Sequence, residues 1–76
     1  MSVAKVIEIS STSQRSFEDA IERGVQRATS SLRNVESAWV KEQSVSIENG
    51  KINGYRVNLM ITFMLDDQDI GSGTGS

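Results

Sequence analysis

Side chains able to do chemistry are scarce in this chain. It contains no Cys and no His, which removes the thiolate nucleophile, the disulfide, the thiolate zinc site, the commonest metal ligand and the usual base near neutral pH. Most hydrolytic and thiol-redox reactions are excluded with them. Of what remains, Trp39 offers a face on which a flat heterocycle can stack; the alternative is that its indole packs an intersubunit contact. Arg56 carries a planar fork suited to phosphate or carboxylate, or else it pairs with Glu42, Glu48 or an acid of a neighbouring subunit. Gln43 reads as its cross-strand neighbour. The cluster Asp66-Asp67-x-Asp69 supplies oxygens of the kind calcium takes, but lacks the glycine turn and the bidentate Glu of a calcium loop, and reads as a solvated acidic tail. Glu8, Glu18 and Glu22 make no catalytic dyad by sequence, because carboxylates acquire that role from their surroundings. Composition and periodicity reach no further than a small α+β domain that self-associates.

The positions of these residues depend on a few strongly patterned stretches. From Tyr55 to Leu65 every odd residue is apolar and most even ones are polar or Met, the period of a strand with one buried face. The odd face (Tyr55, Val57, Leu59, Ile61, Phe63, Leu65) suits a helix laid along it; the even face (Arg56, Asn58, Met60, Thr62, Met64) suits neither a core nor a fully solvated surface, and something covers it. Phe17, Ala20, Ile21, Gly24, Val25, Ala28 and Leu32 give the matching stripe, at helical spacing, on a helix over 16–33. Ser16 with Asp19 resembles a capping box, Glu18 and Asp19 suit the positive end of the dipole, and Arg27 and Arg33 lie towards the other end. Asp19 and Arg23 form an i, i+4 pair. Gly24 costs about 1 kcal/mol of helix propensity against Ala, so it reads as a choice for close packing.

A first strand is expected over 3–9, running into a polar loop at 10–13, and a second over 37–48. Asn49-Gly50 is a type I′ hairpin signal. With that turn Glu48 pairs with Lys51, Gln43 opposes Arg56 and Trp39 opposes Met60, while Ala38 and Val40 oppose Ile61 and Leu59 on the helix side. Gly54 is a candidate bulge that would shift this register and bring Val45 and Ile47 to the helix side. The order is β-α-β-β: an α+β fold with a three-stranded antiparallel sheet wrapped on one helix. Residues 1–70 read as a single domain and 71–76 as a flexible linker or tail.

A chain of 76 residues buries only ~60% of its unfolded surface, and this one has no disulfide or zinc staple, so oligomerisation is the remaining route to stability. No apolar run approaches a membrane span, and no signal-peptide pattern is present. A cytoplasmic location is the default. A net charge of −2, with basic residues scattered, argues against nucleic acid as a partner.

Lys5-Val6, Thr12-Ser13, Ser16-Phe17, Arg27-Ala28, Asn34-Val35, Val40, Gln43, Tyr55 and the Phe63-x-Leu65 ending, in this order and spacing, resemble the dodecins over residues 3–66. That resemblance implies small β-α-β-β subunits assembled as a hollow homododecamer. It also implies a flavin (FMN or riboflavin) site, in which paired rings stack between symmetry-related Trp side chains at the start of the second strand and a Gln early in the third bonds the ring edge. This chain departs at both places. Ser37 stands at the stacking position, with Trp39 two residues on, and Arg56 stands at the Gln position. The Tyr55-Arg56 and Val40-x-Glu42-Gln43 segments are closer to a branch associated with calcium, and Met64 replaces the Arg of a branch that binds coenzyme A. The resemblance thus implies a small-ligand storage protein with an altered flavin site at Ser37, Trp39, Gln43 and Arg56. The alternatives are an ordinary flavin binder that uses Trp39, or a structural or calcium-binding dodecamer.

Overall fold

The computed structural model describes residues 2–65; the acidic cluster at 66–69 and the tail at 71–76 lie outside the described residues. A strand β1 (Ala4–Ser13), a helix α1 (Phe17–Ser31) and two long strands, β2 (Val35–Glu48) and β3 (Lys51–Met64), follow in that order. The sheet order is β1-β3-β2 with both pairings antiparallel, so the best-patterned stretch of the sequence is the central strand. Its odd side chains form the core: Val57, Leu59 and Ile61 are 0–1% exposed against Ala20 and Ala28. Each such burial stabilises the fold by about 1.5–3 kcal/mol. At the end of this row the Phe17 and Tyr55 rings meet edge to face, with centroids 5.2 Å apart.

Small residues set how closely helix and sheet approach. A Cβ on Gly24 would lie 2.7 Å from Leu59 Cδ1 and 3.2 Å from Ser11 Cβ, so the glycine is required for space, as its place in the stripe indicated. Ser16 caps the helix by accepting from the Asp19 N–H at 2.9 Å. The Asp19 carboxylate accepts from Ser13 Oγ at 2.5 Å and from Arg23 Nε at 2.7 Å, tying the end of β1 to the first turn of α1. The Ser13 hydrogen bond first, then that of Arg23, holds the Asp19 carboxyl below its ordinary value.

Three boundaries differ from the sequence reading. β1 continues through Ser10–Ser13, where a polar loop was expected, because each of these residues pairs with β3 and ladder pairing overrides weak β propensity. The helix ends at Ser31, with Leu32 already extended, so Arg33 lies beyond it; Asn34, at φ 62, turns the chain into β2. β2 starts at Val35, two residues before the expected 37, while β3 starts at Lys51, as the expected Glu48–Lys51 pair required, straight after the Asn49-Gly50 turn, whose φ values of 54 and 76 fit type I′.

The register combines expected and unexpected pairings. Glu48↔Lys51, Trp39↔Met60, Ala38↔Ile61 and Val40↔Leu59 all hold. Between them two bulges cancel: Asn53 is the extra residue on β3 and Lys41 the extra residue on β2, so from Ser46 to Glu42 the pairing is shifted by one. In that interval Ser44, not Gln43, opposes Arg56, and Gln43 opposes Val57 on the helix side. The same shift brings Val45 beside Tyr55 on the helix side, as the Gly54 signal implied. A 14-residue strand spans ~46 Å and a 15-residue helix ~22 Å, so α1 covers less than half of the hairpin. It also leans on β1 and β3 and leaves β2 exposed almost throughout, with Ile47 67% exposed near the hairpin tip.

Candidate functional site

The face of the sheet away from α1 holds three of the four candidate residues. Its side chains form cross-strand rows at every second residue of β3, ~6.6 Å apart. Val6 with Thr62 and Ser37 makes one row, Glu8 with Met60 and Trp39 the next, then Ser10 with Asn58 and Glu42, and then Thr12 with Arg56 and Ser44. Ser37 and Trp39 are thus adjacent, whereas Arg56 lies two rows, or ~13 Å, from Trp39. Gln43 is on the opposite face, separated from the others by the Lys41 bulge.

Trp39 is 51% exposed, its indole beside the half-buried Met60. An exposed aromatic flanked by a thioether has the chemistry to receive a flat ring or a neighbouring subunit. Below it runs a polar bridge that the sequence gave no reason to expect. The Lys41 ammonium donates to Glu8 Oε1 and the Asn58 amide to Glu8 Oε2, both at 3.2 Å, so one carboxylate on β1 is held from β3 and β2 together. The bulge makes this possible, since it puts Lys41 and Glu42 both on the outer face. Glu8 is therefore a structural cross-strand link.

Arg56 sits beside a cleft of ≈ 150 Å³ lined by Thr12, Ser44, Val45, Ser46 and Arg56 itself. Among the described residues neither Glu42 nor Glu48 forms an ion pair with it: Glu48 Oε1 instead accepts from Asn53 Nδ2 at 2.8 Å, and Glu42, one row away, makes no bridge. The intrasubunit pairings offered as alternatives for Arg56 are thus not made. Thr12, Ser44 and Ser46 were missed in the sequence; the bulge that places them was signalled only by Gly54. Among the described residues no three acidic side chains cluster as a metal site, and no helix is long and apolar enough to cross a membrane.

Comparison with known proteins places these features in a family. The dodecin family model matches residues 3–66. A curated relative named calcium dodecin, from Mycobacterium tuberculosis, is 42% identical over 66 residues, covering 86% of this chain and 92% of its own length. A crystal structure of that mycobacterial protein, described as a calcium-chelating antigen, superimposes with a TM-score of 0.71 over 80% of this chain and 87% of its own, also at 42% identity. An arginine-to-alanine variant of Thermus thermophilus dodecin superimposes with a TM-score of 0.82 at 32% identity, covering 87% of this chain and 98% of that one.

Proposed function

The chain belongs to the dodecin family, and we propose that it works as a hollow homododecamer that binds and stores a small ligand without catalysing a reaction, its flavin site altered. Assembly is supported by what one subunit leaves uncovered: Trp39, Val40, Ile47 and Ile52 are all exposed on the hairpin. A monomer of this size rarely tolerates so much apolar surface. Sedimentation should give one species of about twelve chains, the number that the family resemblance implies; a folded monomer at micromolar concentration would refute the assembly.

The observation that supports the altered flavin site is the position of Trp39 opposite Met60, one row from Ser37 and two rows from Arg56. A sandwich built at Ser37 has no indole there, and forfeits the ~1–3 kcal/mol that a ring gains by stacking on an aromatic. An Arg in place of a Gln offers donors only and cannot match a ring edge that presents both an N–H and a carbonyl. Titration of riboflavin and of FMN into refolded protein, followed by Trp39 and flavin fluorescence, tests this. No saturable mutual quenching is expected at submicromolar concentration. Quenching that saturates near one flavin per subunit and disappears in Trp39→Ala would instead restore ordinary flavin storage on a relocated platform.

A second reading, calcium binding, has its own support in the mycobacterial relative named a calcium dodecin. The ligands would have to come from two subunits or include Asp66, Asp67 and Asp69. A calcium titration that raises the melting temperature at constant ionic strength, and fails to do so with those three Asp changed to Asn, would identify the tail as the donor.

A further inference from the structure

We propose that Arg56, with the hydroxyls of Thr12, Ser44 and Ser46, forms a binding site for a tetrahedral oxyanion, the phosphate group of a small ligand, at the end of the outer face remote from Trp39. The site lies within one subunit and ~13 Å from the indole; it rests on the small-ligand reading above, since Arg56 stands at the ring-edge position, but it needs no stacking on Trp39.

Four observations meet here. The guanidinium has no ion pair or hydrogen bond among the described residues, although Glu42 is one row away; the nearby acids Glu8 and Glu48 are engaged by Lys41, Asn58 and Asn53. Thr12 and Ser44 are its direct cross-strand neighbours on either side, and Ser46 lies in the next row. The space between them is a cleft of ≈ 150 Å³, which has room for a phosphate-sized group.

The fourth observation is Gly54. It opposes Ser46 in the row beside Arg56, is buried, and has no positive φ to require a glycine. Its reason is spatial: a Cβ there would lie 2.6 Å from Ser46 Oγ and 4.0 Å from Thr12 Cγ2. The missing side chain lets the Ser46 hydroxyl settle against β3 at the floor of the cleft.

The chemistry selects the ligand. Arg56 is a permanent cation that only donates, and each hydroxyl rotates to donate where an acceptor is offered. Donors arriving from β1, β2 and β3 match acceptors spread over a tetrahedron better than the two coplanar oxygens of a carboxylate. Because the guanidinium is exposed, ionic strength must be held constant, or screening would imitate competition.

Calorimetric titration of the assembled protein with inorganic phosphate, phenyl phosphate and acetate, in a phosphate-free buffer, tests the site. Phosphate and phenyl phosphate should each saturate at one per subunit, with acetate at least about tenfold weaker. Arg56→Gln should raise both dissociation constants at least about tenfold, as loss of charge-assisted hydrogen bonds does. Gly54→Ala should do the same by displacing Ser46, Arg56→Lys should keep part of the affinity, and Trp39→Ala should keep all of it. Circular dichroism melts monitor the fold; if Gly54→Ala does not fold, Arg56→Gln decides alone. No saturable phosphate binding, or undiminished binding in Arg56→Gln, would overturn the site. Acetate bound as tightly as phosphate would overturn the tetrahedral assignment.

Discussion

Leu59 and Gly24 should be energetically coupled, with a sign that the structure specifies. Leu59 is 1% exposed, and its Cδ1 occupies the space a Gly24 side chain would need, 2.7 Å from the position of that absent Cβ. Leu59→Ala removes the methyls and leaves a cavity that Gly24 has no side chain to fill, so its cost belongs in the upper part of the usual range, ~3–5 kcal/mol. Gly24→Ala alone gains ~1 kcal/mol of helix propensity but overpacks against Leu59 and Ser11, which costs ~1–3 kcal/mol; the net is a loss of up to ~2 kcal/mol. In the double variant the clash with Leu59 is relieved, that with Ser11 stays and the propensity gain remains, so the loss should be smaller than the sum of the single losses by about 1–2 kcal/mol. Urea unfolding of all four proteins at one fixed chain concentration measures this, because assembly makes apparent stability concentration-dependent. At ~4–8 °C per kcal/mol, Leu59→Ala alone should lower Tm by more than 10 °C. Losses that add to within ~0.5 kcal/mol would refute the close approach of helix and sheet at this point, and an unchanged Tm in Leu59→Ala would reverse the assignment of faces.

Other perturbations probe other parts of the fold. Asn58→Ala removes a 3.2 Å bond to an exposed carboxylate, so subunit stability should change by less than ~1 kcal/mol while the sedimentation profile shifts; a larger loss of subunit stability with unchanged assembly would count against an outer-face role. Ser16→Ala deletes the helix cap and should cost ~0.5–2 kcal/mol, read as a fall in Tm. Because the Asp19 carboxyl is held below its ordinary value of 3.8, folding favours the ionised form. Its contribution is therefore present at neutral pH, begins to fall as pH drops through the ordinary value, and is lost below the folded one. Tm against pH should decline less steeply below about pH 4 in Asp19→Asn than in the native chain; parallel curves would refute the role given to Ser13 and Arg23.

What the sequence determined by itself was everything governed by local period and local chemistry. The odd residues of β3, the helix stripe with Gly24, the cap at Ser16, the Asp19 and Arg23 pair and the Asn49-Gly50 turn were all legible, because each is a pattern within about one turn of helix or a few strand residues. The same patterns carried the family resemblance and the β-α-β-β order. Tertiary structure alone decided which residues of different strands stand opposite one another. A period of two fixes the face of each residue only until a bulge intervenes, and the Lys41 bulge has no residue type that announces it. Its cancellation of the Asn53 bulge left Trp39 opposite Met60, as the uninterrupted ladder required, yet exchanged Gln43 for Ser44 beside Arg56. That exchange, together with β1 pairing through Thr12, surrounds Arg56 with hydroxyls where a carboxamide was expected. Backbone hydrogen bonding across three strands determines it, and no stretch of the chain encodes those bonds on its own.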